Sequence, residues 1–323
     1  MNYLTYYLTI LFILKFAKVE TLIVDECSNI LENWSEECVS KLTKTVIPEI
    51  ERKKKGENGR IAVIGGSIEY TGAPYFAAIS TLRVGADLSY VITTENAAPI
   101  IKSYSPDLIV IPYTSINITS FLNRKDVVVL GPGLGRAPQG LNLAYNIINN
   151  CRHMKIPLVI DADGLYAVYK DISILKDYPS PGAILTPNNL EAKRLKEAIP
   201  EGQEPWYKYW GNYVTVLEKG ESDHYHSSQG HFDWSSQEGG SGRRAGGQGD
   251  ILSGTLGTFF NWALKANLCE NSESVPLAQS VASYAASKFT RKCNSMAYKK
   301  YGRSMIASDM LNEIHYAFDD LFM

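Results

Sequence analysis

From about residue 60 onward, short apolar runs recur along the chain, each followed by a longer stretch of mixed polarity. "RIAVIGGS" (60–67), "LSYVIT" (88–93), "LIVIP" (108–112), "DVVVLGPG" (126–133), "IPLVIDADG" (156–164), "GAILTPN" (182–188) and "YVTVLEKG" (213–220) are strand-like. Most are continuous in Val, Ile and Leu, the pattern of parallel strands buried on both faces. The stretches "GAPYFAAISTLRVGA" (72–86), "GLNLAYNIINNCRHMK" (140–155), "NLEAKRLKEAI" (189–199), "DILSGTLGTFFNWALKA" (250–266) and "PLAQSVASYAASKFTRKC" (276–293) read as helices. Such alternation predicts an α/β fold, a mostly parallel sheet with helices on both faces. No repeat or low-complexity linker interrupts it. One domain is therefore expected over 45–323, behind a lead-in segment (21–44) and a candidate targeting segment (1–20).

Composition narrows the partners. A net charge of −2 without a long basic block leaves no footprint for nucleic acid. The one cationic run, "ERKKKGENGR" (51–60), reads as a solvated surface stretch. The five cysteines form no C-x-x-C pair and no Cys/His cluster, so neither a zinc site nor a disulfide framework is expected, and reduced thiols are. The apolar run "LTYYLTILFILKFA" (4–17) has the length of a signal-peptide core and is short for a membrane span, so stable insertion is not expected. It lacks the arginines of a mitochondrial transit peptide. "NWS" at 33 and "NIT" at 117 are glycosylation sequons that matter only in a secretory compartment.

In open parallel sheets, ligands collect beyond the carboxyl ends of the strands. Here those ends carry "GGS", "GPGLG", "DADG", "TPNNLE" and "EKG". "GPGLGR" (131–136) misses the G-x-G-x-x-G spacing and reads as a turn where backbone passes close to a bulky ligand. "GGQGD" (246–250) precedes a helix, so free backbone N–H groups and the helix dipole offer a cradle for an anion such as phosphate. Asp250 is either the helix N-cap or a base that takes a hydroxyl proton while the cradle steadies a transferring phosphoryl group. Gly254 and Gly257, costly inside a helix, imply close approach by a ligand or another element. Lys219 and Gly220 follow a strand, at a hairpin turn or a phosphate contact. Asn188 and Glu191 form either a capping box or a ligand contact. Asp161 is a candidate to hold substrate or a Mg²⁺-bound water. "IDADG" lacks the spacing of a calcium loop, and the five histidines show no metal-ligand pattern.

Taken in order, "YTGAPYFAAISTLRVGADLSYV", "GPGLGR", "DADGL", "TPNNLEAKRL", "EKG" and "RRAGGQGDILSGTLG" resemble the ATP-dependent NAD(P)H-hydrate dehydratases of the ribokinase-like superfamily, over roughly residues 45–323. The resemblance implies a three-layer αβα fold. It also implies ATP-dependent repair of the (S)-hydrate of NADH or NADPH, in which the C6 hydroxyl is phosphorylated and phosphate then leaves. Carried over, Gly135, Asn188, Asn189, Leu190, Glu191, Ala192, Lys193, Arg194 and Asp250 would meet the hydrated dinucleotide, with Asp250 catalytic. Lys219, Gly220, Glu221, Ser222 and Asp223 would bind ATP, as would Gly240, Ser241, Gly242, Arg243, Arg244, Ala245, Gly246, Gly247, Gln248 and Gly249. Arg243 and Arg244 are the expected charge partners of phosphate. Mg²⁺ is implied with ATP, although its ligands are not. A homo-oligomer and functional pairing with an NAD(P)H-hydrate epimerase are implied too, as is a mitochondrial or cytoplasmic location, against which the signal-like segment points to the secretory pathway. The segment 201–213 is shorter than the family's usual helix there. A small-molecule kinase of the same superfamily (hydroxymethylpyrimidine or hydroxyethylthiazole type) and a catalytically silent nucleotide-binding protein are the alternatives.

Overall fold

The computed structural model describes residues 30–323; the candidate targeting segment lies outside the described residues. Helix α1 (Glu36–Thr45) leads into β1 (Arg60–Ile64), α2 (Gly72–Val84), β2 (Leu88–Thr93), α3 (Ala98–Tyr104), β3 (Ile109–Pro112), α4 (Ile118–Leu122) and β4 (Val127–Leu130). Next come α5 (Pro138–Met154), β5 (Leu158–Ile160), α6 (Asp163–Lys170), β6 (Ala183–Leu185), α7 (Asn189–Ala198) and β7 (Val214–Glu218). A hairpin pair, β8 (Asp223–His226) and β9 (Trp234–Ser236), precedes α8 (Gln248–Ala266), α9 (Ser274–Tyr301), α10 (Ala307–Asn312) and α11 (Ile314–Phe322).

The strands form one nine-stranded sheet in the order β3-β2-β1-β4-β5-β6-β7-β8-β9. The first seven strands are parallel, and β8 and β9 join antiparallel at one edge. Burial explains the unbroken apolar runs. Along β1, Ile61 and Val63 enter one core while Ala62 and Ile64 enter the other; β4 divides Val127 and Val129 from Val128 and Leu130 in the same way. A strand that feeds two cores has no polar face to show.

The first core packs α2, α8, α9 and the C-terminal helices on one sheet face, and it includes Val39 from α1. The second packs α5, α6 and α7 on the other face. Helix α8 lies unusually close to its neighbours. A Cβ on Gly254 would sit 2.0 Å from the Ala77 carbonyl oxygen, and one on Gly257 would sit 2.8 Å from Val129 Cγ2. Those two glycines therefore answer to packing against α2 and the sheet, not to a ligand.

One expectation fails. Cys269 is disulfide-bonded, whereas Cys38, Cys151 and Cys293 are free thiols. Isolated cysteines far apart in sequence carry no spacing signal, so their pairing is decided by the fold alone.

Candidate active site

Chain order reverses between β1 and β4: β2 and β3 lie to one side of β1, and β4 starts the other side. At such a switch point the loops leaving adjacent strands diverge and open a crevice. The loop after β1 (Ser67–Tyr70) and the loop after β4 (Gly133–Gly140) line a cavity of about 910 Å³, together with Thr94, Asn96, Tyr113, Asp163 and Asp250. A second cavity of about 280 Å³ lies between the β7–β8 turn, the glycine-rich loop and α9. Asn188, Lys219, Gly220, Asp223, Gly240, Arg244, Ala245, Gln248 and Gly249 border it.

Helix α8 begins between the two. Its N-cap is Gly247, at φ +91°, with no side-chain cap. A Cβ at Gly247 would stand 2.7 Å from the Ala307 side chain, so glycine is required both by conformation and by space. Asp250 is thus the third helical residue, not the N-cap. Its carboxylate lines the large cavity while Gly249, one residue earlier, lines the smaller. Burial, helped by the nearby Asp161 and Asp163 carboxylates and opposed by Lys219, pushes the Asp250 carboxyl up to about 7. A carboxylate near neutrality is a competent general base at physiological pH.

Lys219 Nζ donates to Asp161 Oδ1 at 2.7 Å, and Asp161 is 2 % exposed. Burial works against the ammonium, but the Asp161 and Glu191 carboxylates outweigh it and hold the Lys219 pKa above the usual lysine value. A permanent cation therefore stands beside Gly249, where an added Cβ would be 3.2 Å from Nζ. Asp163 was not singled out from sequence. It accepts from the Gly135 N–H at 2.9 Å and from Arg136 Nε at 3.0 Å, which pins the glycine turn after β4. Between the two aspartates, Ala162 sits at φ +48°, ψ −116° in a turn closed by the Gly164 N–H on the Asp161 carbonyl, 2.9 Å.

The remaining expected residues divide. Asn188 and Glu191 do form the capping box of α7: the Asn188 carboxamide oxygen accepts from the Leu190 and Glu191 N–H groups, both at 3.0 Å, and Glu191 accepts from the Asn188 N–H at 2.9 Å. Asn188 also borders the smaller cavity, where an isolated bridge pairs it with Lys219. Glu191 and Arg194 face a narrow cleft with Arg136 and Tyr166. Asn189 and Leu190 are exposed, Ala192 is buried in the helix interface, and Lys193 pairs with Glu197 on the outer surface.

The β7–β8 turn is a true hairpin turn as well as a cavity wall. Asp223 turns inward to Arg291, with Nε and Nη2 each 2.9 Å from a carboxylate oxygen, and Ser287 donates to it as well. Arg291 also donates to the Gly220 and Glu221 carbonyls, fixing Ser222 at the tip of the turn. Arg244 reaches the cavity, but Arg243 folds back into the loop, where Nη1 donates to the Arg244 carbonyl at 2.8 Å and the backbone N–H donates to Ser241 Oγ. Gly242 and Gly246 face open space.

Residues 61–315 match the family model described as NAD(P)H-hydrate dehydratase. The chain is 47 % identical to the ATP-dependent (S)-NAD(P)H-hydrate dehydratase of Drosophila melanogaster over 87 % of its own length and 93 % of the fly protein. It is 43 % identical to the protein of that name from Bos taurus, over 88 % and 90 %. Among solved structures, the ADP/ATP-dependent NAD(P)H-hydrate dehydratase of Bacillus subtilis co-crystallised with ATP/Mg²⁺ aligns with a TM-score of 0.64 at 18 % identity, covering 89 % of this chain and 98 % of that one. A ribokinase-like protein of Enterococcus faecalis aligns at 0.68, over 88 % and 95 %. These structural likenesses establish the three-layer α/β fold.

Proposed function

Because the chain belongs to the NAD(P)H-hydrate dehydratase family, we propose that it dehydrates the (S)-hydrate of NADH or NADPH at the expense of ATP. The observation that carries this reading is the placement of Asp250 and Gly249. Consecutive residues at one helix start face two different cavities, one large enough for a dinucleotide and one beside a fixed lysine.

The hydrated dinucleotide occupies the large cavity with its C6 hydroxyl on Asp250, and ATP reaches in from the smaller one. Asp250 takes the hydroxyl proton as that oxygen attacks the γ-phosphorus and ADP departs. The N–H groups at the start of α8 and the Lys219 ammonium hold the transferring phosphoryl oxygens. The ring nitrogen then expels phosphate from C6, and loss of a proton from C5 restores the C5–C6 double bond.

Among the described residues, no three His, Cys, Asp or Glu side chains gather to hold a metal. Mg²⁺ characteristically keeps several waters and takes one or two carboxylates plus phosphate oxygens. Asp161, whose Oδ1 meets Lys219 and whose Oδ2 lies beside Gly249, fits that donor set, and Mg²⁺ bound there would neutralise triphosphate charge. An enzyme confined to the (S)-hydrate leaves the other C6 epimer untouched, so an epimerase is its natural functional partner; a homo-oligomer is expected from the resemblance alone.

The test incubates purified protein with NADH hydrate and Mg·ATP and follows the near-ultraviolet absorbance of NADH together with ADP. Recovery of NADH with equivalent ADP is expected. An accumulating phosphate ester with no NADH would make the protein a kinase instead.

A further inference from the structure

The wall of the smaller cavity includes two side chains, each with a buried polar atom that nothing in the protein satisfies. Thr290 and Asn294, one helical turn apart on α9, are 7 % and 4 % exposed and both line the cavity. Thr290 Oγ1 and Asn294 Oδ1 are buried without a hydrogen-bond partner. A buried polar group without a partner is costly, so their survival in a pocket wall points to a ligand that completes them.

Which way Asn294 faces is fixed by a relay. The Arg243 carbonyl can only accept, so Gln248 must present its amide nitrogen there, at 3.0 Å. That turns the Gln248 carboxamide oxygen towards Asn294, which must answer with its own nitrogen, at 3.2 Å. The Asn294 oxygen is left at the cavity wall as a pure acceptor without a partner. The Thr290 hydroxyl, uncommitted, is free to donate. Neighbouring Arg291 takes no part, because Asp223 and backbone carbonyls occupy it. Buried Leu252 supplies an apolar wall.

The candidate phosphate-binding groups and the two unpartnered side chains thus share one cavity, with Lys219 and Gly249 among its lining residues beside Thr290 and Asn294 of α9. We infer that Thr290 and Asn294 read the base of the nucleotide and select adenine: Asn294 Oδ1 accepts from the 6-amino group, and the Thr290 hydroxyl donates to a ring nitrogen beside it. Guanine and hypoxanthine carry an oxygen at position 6, which would set acceptor against acceptor. The inference rests on the smaller cavity being the ATP site.

The experiment compares ATP with ITP, which differ only at that position of the purine apart from the N1 proton that follows from it. Both kcat/KM and calorimetric affinity are measured for the wild type, Asn294→Ala and Thr290→Val. The wild type is expected to favour ATP by roughly 10- to 100-fold, and the ratio to fall towards one in Asn294→Ala. Thr290→Val should lower the ATP value with little change in melting temperature. A wild type that uses ATP and ITP equally overturns the inference while leaving the proposed reaction standing, and it needs no variant to fold. Equal loss of ATP and ITP in Asn294→Ala also overturns it, since that marks a merely structural residue. Absence of any nucleotide binding overturns the underlying site and the inference together.

Discussion

Replacing Asp250 by Asn should sharply reduce turnover and at the same time make the protein more stable. The native carboxyl titrates at about 7 instead of 3.8, because burial and the Asp161 charge disfavour its ionised form. A raised carboxyl pKa means that the folded state resists ionisation. No stability is lost below pH ~4, where native and unfolded states are both protonated, and the penalty grows until pH passes the native value near 7. At 1.36 kcal/mol per pKa unit, the full penalty is about 4 kcal/mol at pH 8 and about 2 kcal/mol at pH 5. A neutral Asn of the same shape removes it. At roughly 2–4 °C per kcal/mol, less for a chain this long, the variant should melt several degrees above wild type at pH 8, with about half that gain at pH 5. Calorimetric melting of both proteins across pH 4–8 isolates the difference, since every other titrating group is common to the two. Activity should fall by about 10²–10⁴ in parallel. A difference in melting temperature that stays constant with pH, or an Asn variant less stable at both ends, would refute the assignment of a strained, half-neutral carboxylate.

Three further outcomes follow from the same geometry. The kcat/KM profile should rise with pH through an apparent value near 7, and Asp161→Asn should move that value downward by removing a neighbouring negative charge; an unmoved profile would separate Asp161 from Asp250. Gly249→Val places a branched side chain against Lys219 at the cradle, so the KM for ATP should rise at least tenfold while melting is little changed, and an unaltered KM would remove Gly249 from the site. Ala162→Gly relieves a backbone conformation that favours glycine and should stabilise the fold by about 1 kcal/mol, measured by denaturant unfolding; a lower midpoint would show that the turn carries no strain.

The strands and the principal helices were legible because burial on two faces writes itself as unbroken Val/Ile/Leu runs, and helix α8 announced itself through its glycine-rich start. Strands β8 and β9, "DHYH" and "WSS", were not legible. They are short, and they alternate between a face buried against α9 and an exposed one, too brief a pattern to register as a period. The short helices at 98–104, 118–122 and 163–170, and those after 301, escaped for a related reason, since a turn or two of helix leaves no sustained amphipathic stripe.

By itself the sequence determined the class of fold and the chemistry at one point, because periodicity and glycine clustering are local properties that neighbouring residues impose on one another. It also proposed two uses for several residues without choosing between them. Tertiary structure chose: the glycines at 254 and 257 serve packing, Asp250 is inside the helix and not its cap, and Asp223 is bound to Arg291 some 68 positions away. Asp163, Arg291, Thr290 and Asn294 entered the site only when the chain folded. What a side chain touches, and whether its hydrogen bonds are already spent, depends on residues distant in sequence, and no local pattern records that.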